Sequence, residues 1–315
     1  MGVFSRNLTI LEKRILSRFN QEHIRLWNQD GVVVIEKFFK SNEISTTLKN
    51  YKSLYGEEGL PQPRLAALEK TEYGEQFKNI DTLPYAASVE MDLISLHPEL
   101  INLAKSLISV ESVHMYQSHT WAKFTGHTNY DQGYHCDFGN HTLTVPSTEL
   151  MSKTVNFLIY VSDVTADLGP FEYVPKTHTD LILGNRSITI PVDEYDVIQA
   201  KLQSSSQSVV APAGSLIAYG LEVFHRGTNL VKPYGARYSM TVSYKQAGND
   251  SIGFHVWQAD KNRDWSLIFE HCTPEQLNCL GVPLPGSKFW NKTTISQTKK
   301  RWANWDSSAY EAHLA

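Results

Sequence analysis

From Val113 onward the chain breaks into short β-like runs separated by turn residues. They are Val113–Gln117, Trp121–Phe124, Val155–Val161, Phe171–Val174, Ser187–Ile190, Gln207–Val210, Leu216–Tyr219 and Tyr238–Tyr244. A succession of short strands closes most readily into a sandwich or a barrel. Ala213-Gly214-Ser215 reads as a turn that launches the strand leading to His225.

Upstream the texture is helical. Leu11, Ile15, Phe19, Ile24 and Trp27 recur at helical spacing between Leu11 and Asn28, Asp30-Gly31 ends that helix, and Val32–Ile35 reads as a strand entering a core. Ser41, followed by Glu43 and Ile44, reads as the N-cap of a second helix reaching Tyr55. Gly59 to Arg64, with Pro61 and Pro63, reads as a loop, and a short helix is expected from Glu99 to Ile108. Thr273-Pro274 opens a late helix, Thr capping and Pro in the first turn. The tryptophans Trp257, Trp265, Trp290, Trp302 and Trp305 read as packing for a C-terminal cover. Lys176 to Ser208 is a long, polar, interrupted insertion and reads as a lid or binding loop, with Ser204-Ser205-Ser206 its most flexible stretch. No internal repeat appears. The expectation is one domain over residues 1–315: a helical part to about 110, a β core from about 111 to 247, and a C-terminal cover from about 248.

The 315 residues are 41% hydrophobic and 20% charged, an ordinary globular balance. A net charge of −4 offers no basic field for nucleic acid and no polybasic membrane patch. Cys136, Cys272 and Cys279 are too few, and odd in number, for a disulfide framework. No apolar run approaches a membrane span and no secretory h-region is present, so the expected location is cytoplasmic. Oligomeric state is not legible.

The chemistry is concentrated in a few positions. In Gly133-Tyr134-His135-Cys136-Asp137-Phe138 an extended strand places His135 and Asp137 on one face and Cys136 on the other. His225, in Val223-Phe224-His225-Arg226-Gly227, arrives from a distant strand and can complete a three-point cap on one face of a metal. Two histidines and one carboxylate, with the opposite positions open, are the ligand set of non-haem Fe(II) oxygenases. Arg237 suits a 2-oxo acid whose far carboxylate needs a fork-shaped cation. Ser239 shares the strand face of Arg237 and can add a hydroxyl donor there. Lys123 either faces that co-substrate or is a solvated charge. Cys136 reads as a packed thiol, and His119 and His141 as structural histidines within reach of the cavity.

In order along the chain come Met115-Tyr116-Gln117-Ser118, Tyr134-His135-Cys136-Asp137-Phe138, Asp163-Val164-Thr165, Leu168-Gly169-Pro170-Phe171 and Val174-Pro175-Lys176-Thr177-His178. Ala213-Gly214-Ser215-Leu216-Ile217, Phe224-His225-Arg226-Gly227-Thr228-Asn229 and Arg237 follow. Taken together these resemble the phytanoyl-CoA dioxygenase family of Fe(II)/2-oxoglutarate oxygenases, from about Phe19 to about Trp290. The resemblance implies a mainly β fold, the double-stranded β-helix or cupin-like jelly roll, with N-terminal and C-terminal helices packed around it. It implies Fe(II) as metal, 2-oxoglutarate as co-substrate, and His135, Asp137 and His225 as ligands. It also implies that Gln117 lies beside the 2-oxo acid, with Arg237, Ser239 and Lys123 completing the cofactor-binding group. Catalytic residues beyond the metal ligands are not expected. Two positions depart from the family pattern: Lys176-Thr177 where many relatives carry Gly-Ser, and Tyr134 where Trp is usual.

The function expected is hydroxylation of a small organic substrate with O₂, releasing succinate and CO₂. Desaturation or cyclisation in secondary metabolism on the same iron, and a non-catalytic metal-retaining jelly-roll binding protein, stand beside it. Halogenation is disfavoured, because radical halogenases of this superfamily lack the carboxylate that Asp137 supplies.

Overall fold

The structure, a computed structural model, describes residues 17–56, 80–126, 130–137, 153–184, 190, 192–249, 265–280, 282–288, 290–302 and 304–314. The expected loop at 59–64, the start of the helix at 11–28, most of the strand at 187–190, and Trp257 and His141 lie outside these residues.

Helix α1 (Gln21–Asp30) starts later than expected: residues 17–20 are not helical, because the Asn20 side chain caps the helix there, and it ends at Gly31, whose φ of 70° is the left-handed conformation that glycine adopts cheaply. Strand β1 (Val32–Ile35) follows. Helix α2 (Ser41–Tyr55) corrects the expectation for Ser41: Lys40 is the N-cap, and the Glu43 carboxylate satisfies its backbone N–H at 2.7 Å. Two helices follow, α3 (Val89–Ser95), which has no counterpart in the sequence reading, and α4 (Pro98–Leu107), one residue off its expected bounds.

The strands form two antiparallel sheets. β2 (Val113–Phe124), β3 (Thr154–Tyr160), β6 (Leu216–Tyr219) and β8 (Ala236–Gln246) join β1 in the order β1-β6-β3-β8-β2. β4 (Phe171–Tyr173), β5 (Gln207–Val209) and β7 (His225–Gly227) make a three-stranded sheet in the order β5-β4-β7. This is the expected jelly roll with flanking helices. The two runs expected at 113–117 and 121–124 are one strand. A bulge between Met115 and Gln117 shifts its register, and Ser118 and Thr120 give the outward face a polar stretch. Those hydroxyls are satisfied from the helical layer, Ser118 by Tyr85 at 2.5 Å and Thr120 by Tyr55 at 2.6 Å.

In β8 the alternation is inverted relative to an ordinary surface strand. Tyr238, Met240, Val242 and Tyr244 point into the main core under α2, α3 and α4, while Arg237, Ser239 and Thr241 line the cavity between the sheets. The apolar face is buried by helices and the polar face by the other sheet. That is why a buried strand carries an arginine.

The described residues of the insertion at 176–208 are largely helical. They form helix α5 (Lys176–Leu183), a 3-10 turn, and helix α6 (Tyr195–Ser204), which runs nearly into β5. Ile198 and Leu202, at i and i+4, pack with Tyr134, Val174 and Phe224, and Ile182, Leu183 and Ile190 join the same cluster. Ile182, Leu183 and Ile190 thus pack beside Tyr134 and Cys136, whereas Leu181 is exposed and Ile188 lies outside the described residues. The Ser204–Ser206 stretch is the end of α6.

At the C-terminus α7 (Trp265–His271), α8 (Pro274–Cys279), α9 (Lys292–Arg301) and α10 (Ser308–Glu311) complete the chain, with Thr273 capping α8 as expected. Trp290 meets Tyr310 edge-on at 4.8 Å and both pack tilted against Trp305, while Trp302 stacks on Phe269, so these tryptophans are packing groups.

Candidate active site

The segment carrying His135 is fastened to β7 by a reciprocal pair of backbone hydrogen bonds between His135 and His225, each 3.0 Å. The strand alternation then does the rest. His135 and Asp137 face the cavity, while Tyr134 and Cys136 face the cluster under α6. On β7, His225 faces in and Arg226 faces out, where it pairs with Glu172 at 2.7 Å and lies over the Tyr134 ring. Burial raises the Cys136 thiol pKa, as expected of a packed thiol rather than a ligand.

His135, Asp137 and His225 thus converge. One potential ligand atom from each lies within 4.8 Å of the others. The Asp137 Oδ1 is 3.8 Å from His135 Nε2 and 3.5 Å from His225 Nε2. Each imidazole is oriented from behind: His135 Nδ1 is 2.9 Å from the Gly133 carbonyl and His225 Nδ1 is 2.9 Å from the Val223 carbonyl. A carbonyl only accepts, so each Nδ1 carries a proton and each Nε2 points inward, where its lone pair can serve a metal once one is bound. Burial lowers the His135 pKa, with His225 adding to it. For His225 burial acts downward too, yet the charge and hydrogen bond of Asp137 outweigh it and the pKa is raised. The pair of imidazoles and the carboxylate suit a non-haem Fe(II) ion.

The cavity these residues line measures ≈ 510 Å³, within the range of small-molecule sites. Two cationic side chains, Lys123 and Arg237, line it. β2 and β8 pair Lys123 with Arg237 directly, and the two side chains are 8% and 6% exposed. Burial and then the neighbouring guanidinium bring the Lys123 pKa down to about 7. Lys123 therefore faces the cavity, closing the alternative of a solvated charge. Arg237 Nη1 donates to the Gly169 carbonyl. Gly169 has φ +66°, and a Cβ there would sit 2.6 Å from the Thr228 carbonyl, so only glycine brings that oxygen to the guanidinium. Arg237 Nε is buried with no hydrogen-bond partner among the described residues. Ser239 sits on the same face, as expected.

Gln117 and His119 also line the cavity. Gln117 Nε2 is 3.0 Å from His119 Nδ1, whereas Gln117 Oε1 is buried without a partner among the described residues. Trp121 and Thr241 join the same wall, indole N–H to hydroxyl at 2.9 Å. The sequence reading missed Trp121, Thr241 and Tyr219, all of which line the cavity. Alternation was the available signal, since every second residue from 117 to 123 turns inward. It missed Asn156 too, whose amide donates to Asp137 Oδ2 at 3.1 Å. A lone polar residue inside the apolar run Val155–Val161 was the sign of it.

With this geometry in place, comparison with protein families decides the identity of the chain. Residues 27–230 match the family described as phytanoyl-CoA dioxygenase (PhyH). The chain belongs to that family. By class it is a non-haem Fe(II)/2-oxoglutarate-dependent oxygenase. No curated protein matches the chain significantly.

Several solved structures share the fold of this PhyH family member. SnoK, described as a non-heme alpha ketoglutarate dependent carbocyclase from nogalamycin biosynthesis, gives a TM-score of 0.53 at 18% identity, covering 73% of this chain and 85% of that one. EctD from S. alaskensis, solved with 2-oxoglutarate and 5-hydroxyectoine, gives 0.54 at 19%, covering 75% and 79%. The epimerase SnoN, solved with Fe3+, alpha ketoglutarate and nogalamycin RO, gives 0.53 at 14%, covering 72% and 83%. At such identities the likeness is one of fold. No helix among the described residues is long and apolar enough to cross a membrane.

Proposed function

We propose that the chain is a single-domain hydroxylase of a small organic molecule, with His135, Asp137 and His225 holding Fe(II) and 2-oxoglutarate as co-substrate. Arg237 carries the co-substrate assignment. A fully buried guanidinium with an unpartnered N–H is costly unless an anion completes it, and a carboxylate fork matches two of its donors. The 5-carboxylate of 2-oxoglutarate fills that role, with the Ser239 hydroxyl and the Lys123 ammonium flanking it. When bound, iron with 2-oxoglutarate and O₂ would supply the oxidant for inserting one oxygen atom into a substrate C–H bond, the other oxygen atom ending in succinate as CO₂ is released.

The remaining work is done by this chain's own side chains. Backbone carbonyls hold the Nδ1–H of His135 and of His225, so that each Nε2 is turned toward the metal position. Phe171 stacks on the His225 ring at 5.2 Å and keeps water from its face. Gln117, at the same wall as His119, offers a carbonyl acceptor to whatever lies beside the co-substrate. Asp137 keeps its carboxylate in the ligand set, which favours hydroxylation over halogenation. Supplied with Fe(II), ascorbate and O₂, the purified protein is expected to convert 2-oxoglutarate to succinate. A protein that retains iron yet forms no succinate, with or without candidate substrates, would be a binder and not an enzyme.

A pH dependence follows for co-substrate binding. In the free protein Lys123 loses its proton near pH 7, and a bound carboxylate between it and Arg237 raises that pKa. Binding is then full strength below pH 7 and weakens as pH rises above it, because a proton must be taken up with the ligand. Calorimetric titration of 2-oxoglutarate in two buffers of different ionisation enthalpy should show proton uptake at pH 8 that is absent in Lys123→Met. No uptake in the wild-type protein would remove Lys123 from the carboxylate.

A further inference from the structure

The carboxylate of Asp137 is held asymmetrically. Oδ1 is the atom that approaches both imidazoles, at 3.8 and 3.5 Å, whereas Oδ2 accepts a hydrogen bond from Asn156 Nδ2 at 3.1 Å. Asn156 is 1% exposed and lies on β3 in a row that runs Tyr219, Asn156, Ser243, Gln117 across four strands. The far end of its amide is fixed as well: the Tyr116 hydroxyl donates to Asn156 Oδ1 at 3.0 Å. Tyr116 is the extra residue of the β2 bulge and is fully buried. A donor hydroxyl on one side and a carboxylate on the other admit only one orientation of the amide.

We infer that Asn156 is a positioning residue for the metal carboxylate, occupying Oδ2 so that Asp137 offers a single oxygen to the metal, with Tyr116 orienting the amide. The inference rests on His135, Asp137 and His225 being the metal ligands. A carboxylate free to turn can chelate through both oxygens and take a position that a two-histidine, one-carboxylate site needs open for co-substrate and O₂. An amide on a buried central strand cannot drift, which is what a group supporting a ligand requires. The wall itself does not demand a polar side chain here. Leu158, next on the same face, is apolar and lines the same cavity.

The test uses the full chain under nitrogen. Fe(II) affinity is measured against a competing chelator, together with the charge-transfer absorption of the Fe(II)–2-oxoglutarate complex. Asn156→Leu should bind Fe(II) about 10- to 100-fold more weakly, the usual cost of losing a group that supports a ligand, and its absorption should shift. Asn156→Thr, which restores a hydroxyl donor on a strand-compatible side chain, should bind more tightly than Asn156→Leu. Wild-type affinity and absorption in Asn156→Leu would overturn the inference, as would a lowered melting temperature of the metal-free protein with the absorption unmoved, or equal affinities of the Leu and Thr variants. Should Asn156→Leu fail to fold, Tyr116→Phe decides: it should lose roughly 2- to 10-fold in affinity, one neutral hydrogen bond's worth, and no change would overturn the inference. If wild-type protein binds no Fe(II), or Asp137→Ala keeps the wild-type affinity, the ligand assignment fails instead.

Discussion

Asp137→Ala is expected to abolish succinate formation while leaving the metal-free fold nearly intact. The carboxylate lies at the centre of the site, within 3.8 Å of one imidazole nitrogen and 3.5 Å of the other, and it is the only anion of the three ligands. Removing it takes away one of the three proposed ligands together with the charge that would balance a divalent cation. Fe(II) affinity should therefore fall by more than the roughly 10- to 100-fold that a supporting residue costs. The effect on folding is smaller. The alanine leaves the Asn156 amide without its acceptor, a penalty of about 1–3 kcal/mol, but it also relieves the burial of a charge. His225→Ala tests the same assignment from β7. Its side chain stacks on Phe171 and packs at a tilt against Tyr219, so a cavity opens and some stability is lost with the metal. Circular dichroism and thermal melting of both variants separate the two effects. Survival of metal content and of succinate formation in either variant would show that the triad is misassigned.

Much of this site was legible because the relevant periodicities are short. A His-x-Asp pair needs only the two-residue alternation of an extended strand to reach one face, and Arg237 and Ser239 need the same. Helix ends were legible where the capping chemistry is local, at Gly31 and Thr273, and misread where it is supplied from within the helix, as Glu43 does for Lys40. What could not be read depends on register between distant strands. That Lys123 stands opposite Arg237, and that both line the cavity, follows from the β2–β8 pairing, which in turn depends on the bulge at Tyr116. The contact from Tyr116 through Asn156 to Asp137 spans three separate segments and leaves no spacing in the sequence. The insertion at 176–208 was misread for a different reason. Its polar composition masked the apolar positions of two short amphipathic helices, of which Ile198 and Leu202 alone are fully buried in the cluster beneath. Short helices whose stability comes from the surface they cover carry little signal of their own.

Arg237→Ala is expected to raise the KM for 2-oxoglutarate by roughly 30- to several-thousand-fold, the consequence of losing about 2–5 kcal/mol from a buried charge-assisted pair. The expectation rests on surroundings that leave the guanidinium few alternatives. It is 6% exposed, one nitrogen is committed to the Gly169 carbonyl, and Nε faces no acceptor among the described residues. Burial lowers its pKa, so an incoming carboxylate both satisfies the N–H groups and relieves the desolvation of the cation. Arg237→Lys should rescue only partly, because an ammonium is a point charge and cannot offer two parallel donors. A further distinction comes from Lys123. With Arg237 gone, the repulsion that helps lower the Lys123 pKa disappears, so its ammonium persists to higher pH and the pH dependence of co-substrate binding moves upward. Loss of affinity and displacement of the pH profile should therefore appear together in Arg237→Ala, whereas Ser239→Ala should lower affinity modestly with the profile unmoved. Unchanged 2-oxoglutarate binding in Arg237→Ala would place the carboxylate elsewhere in the cavity.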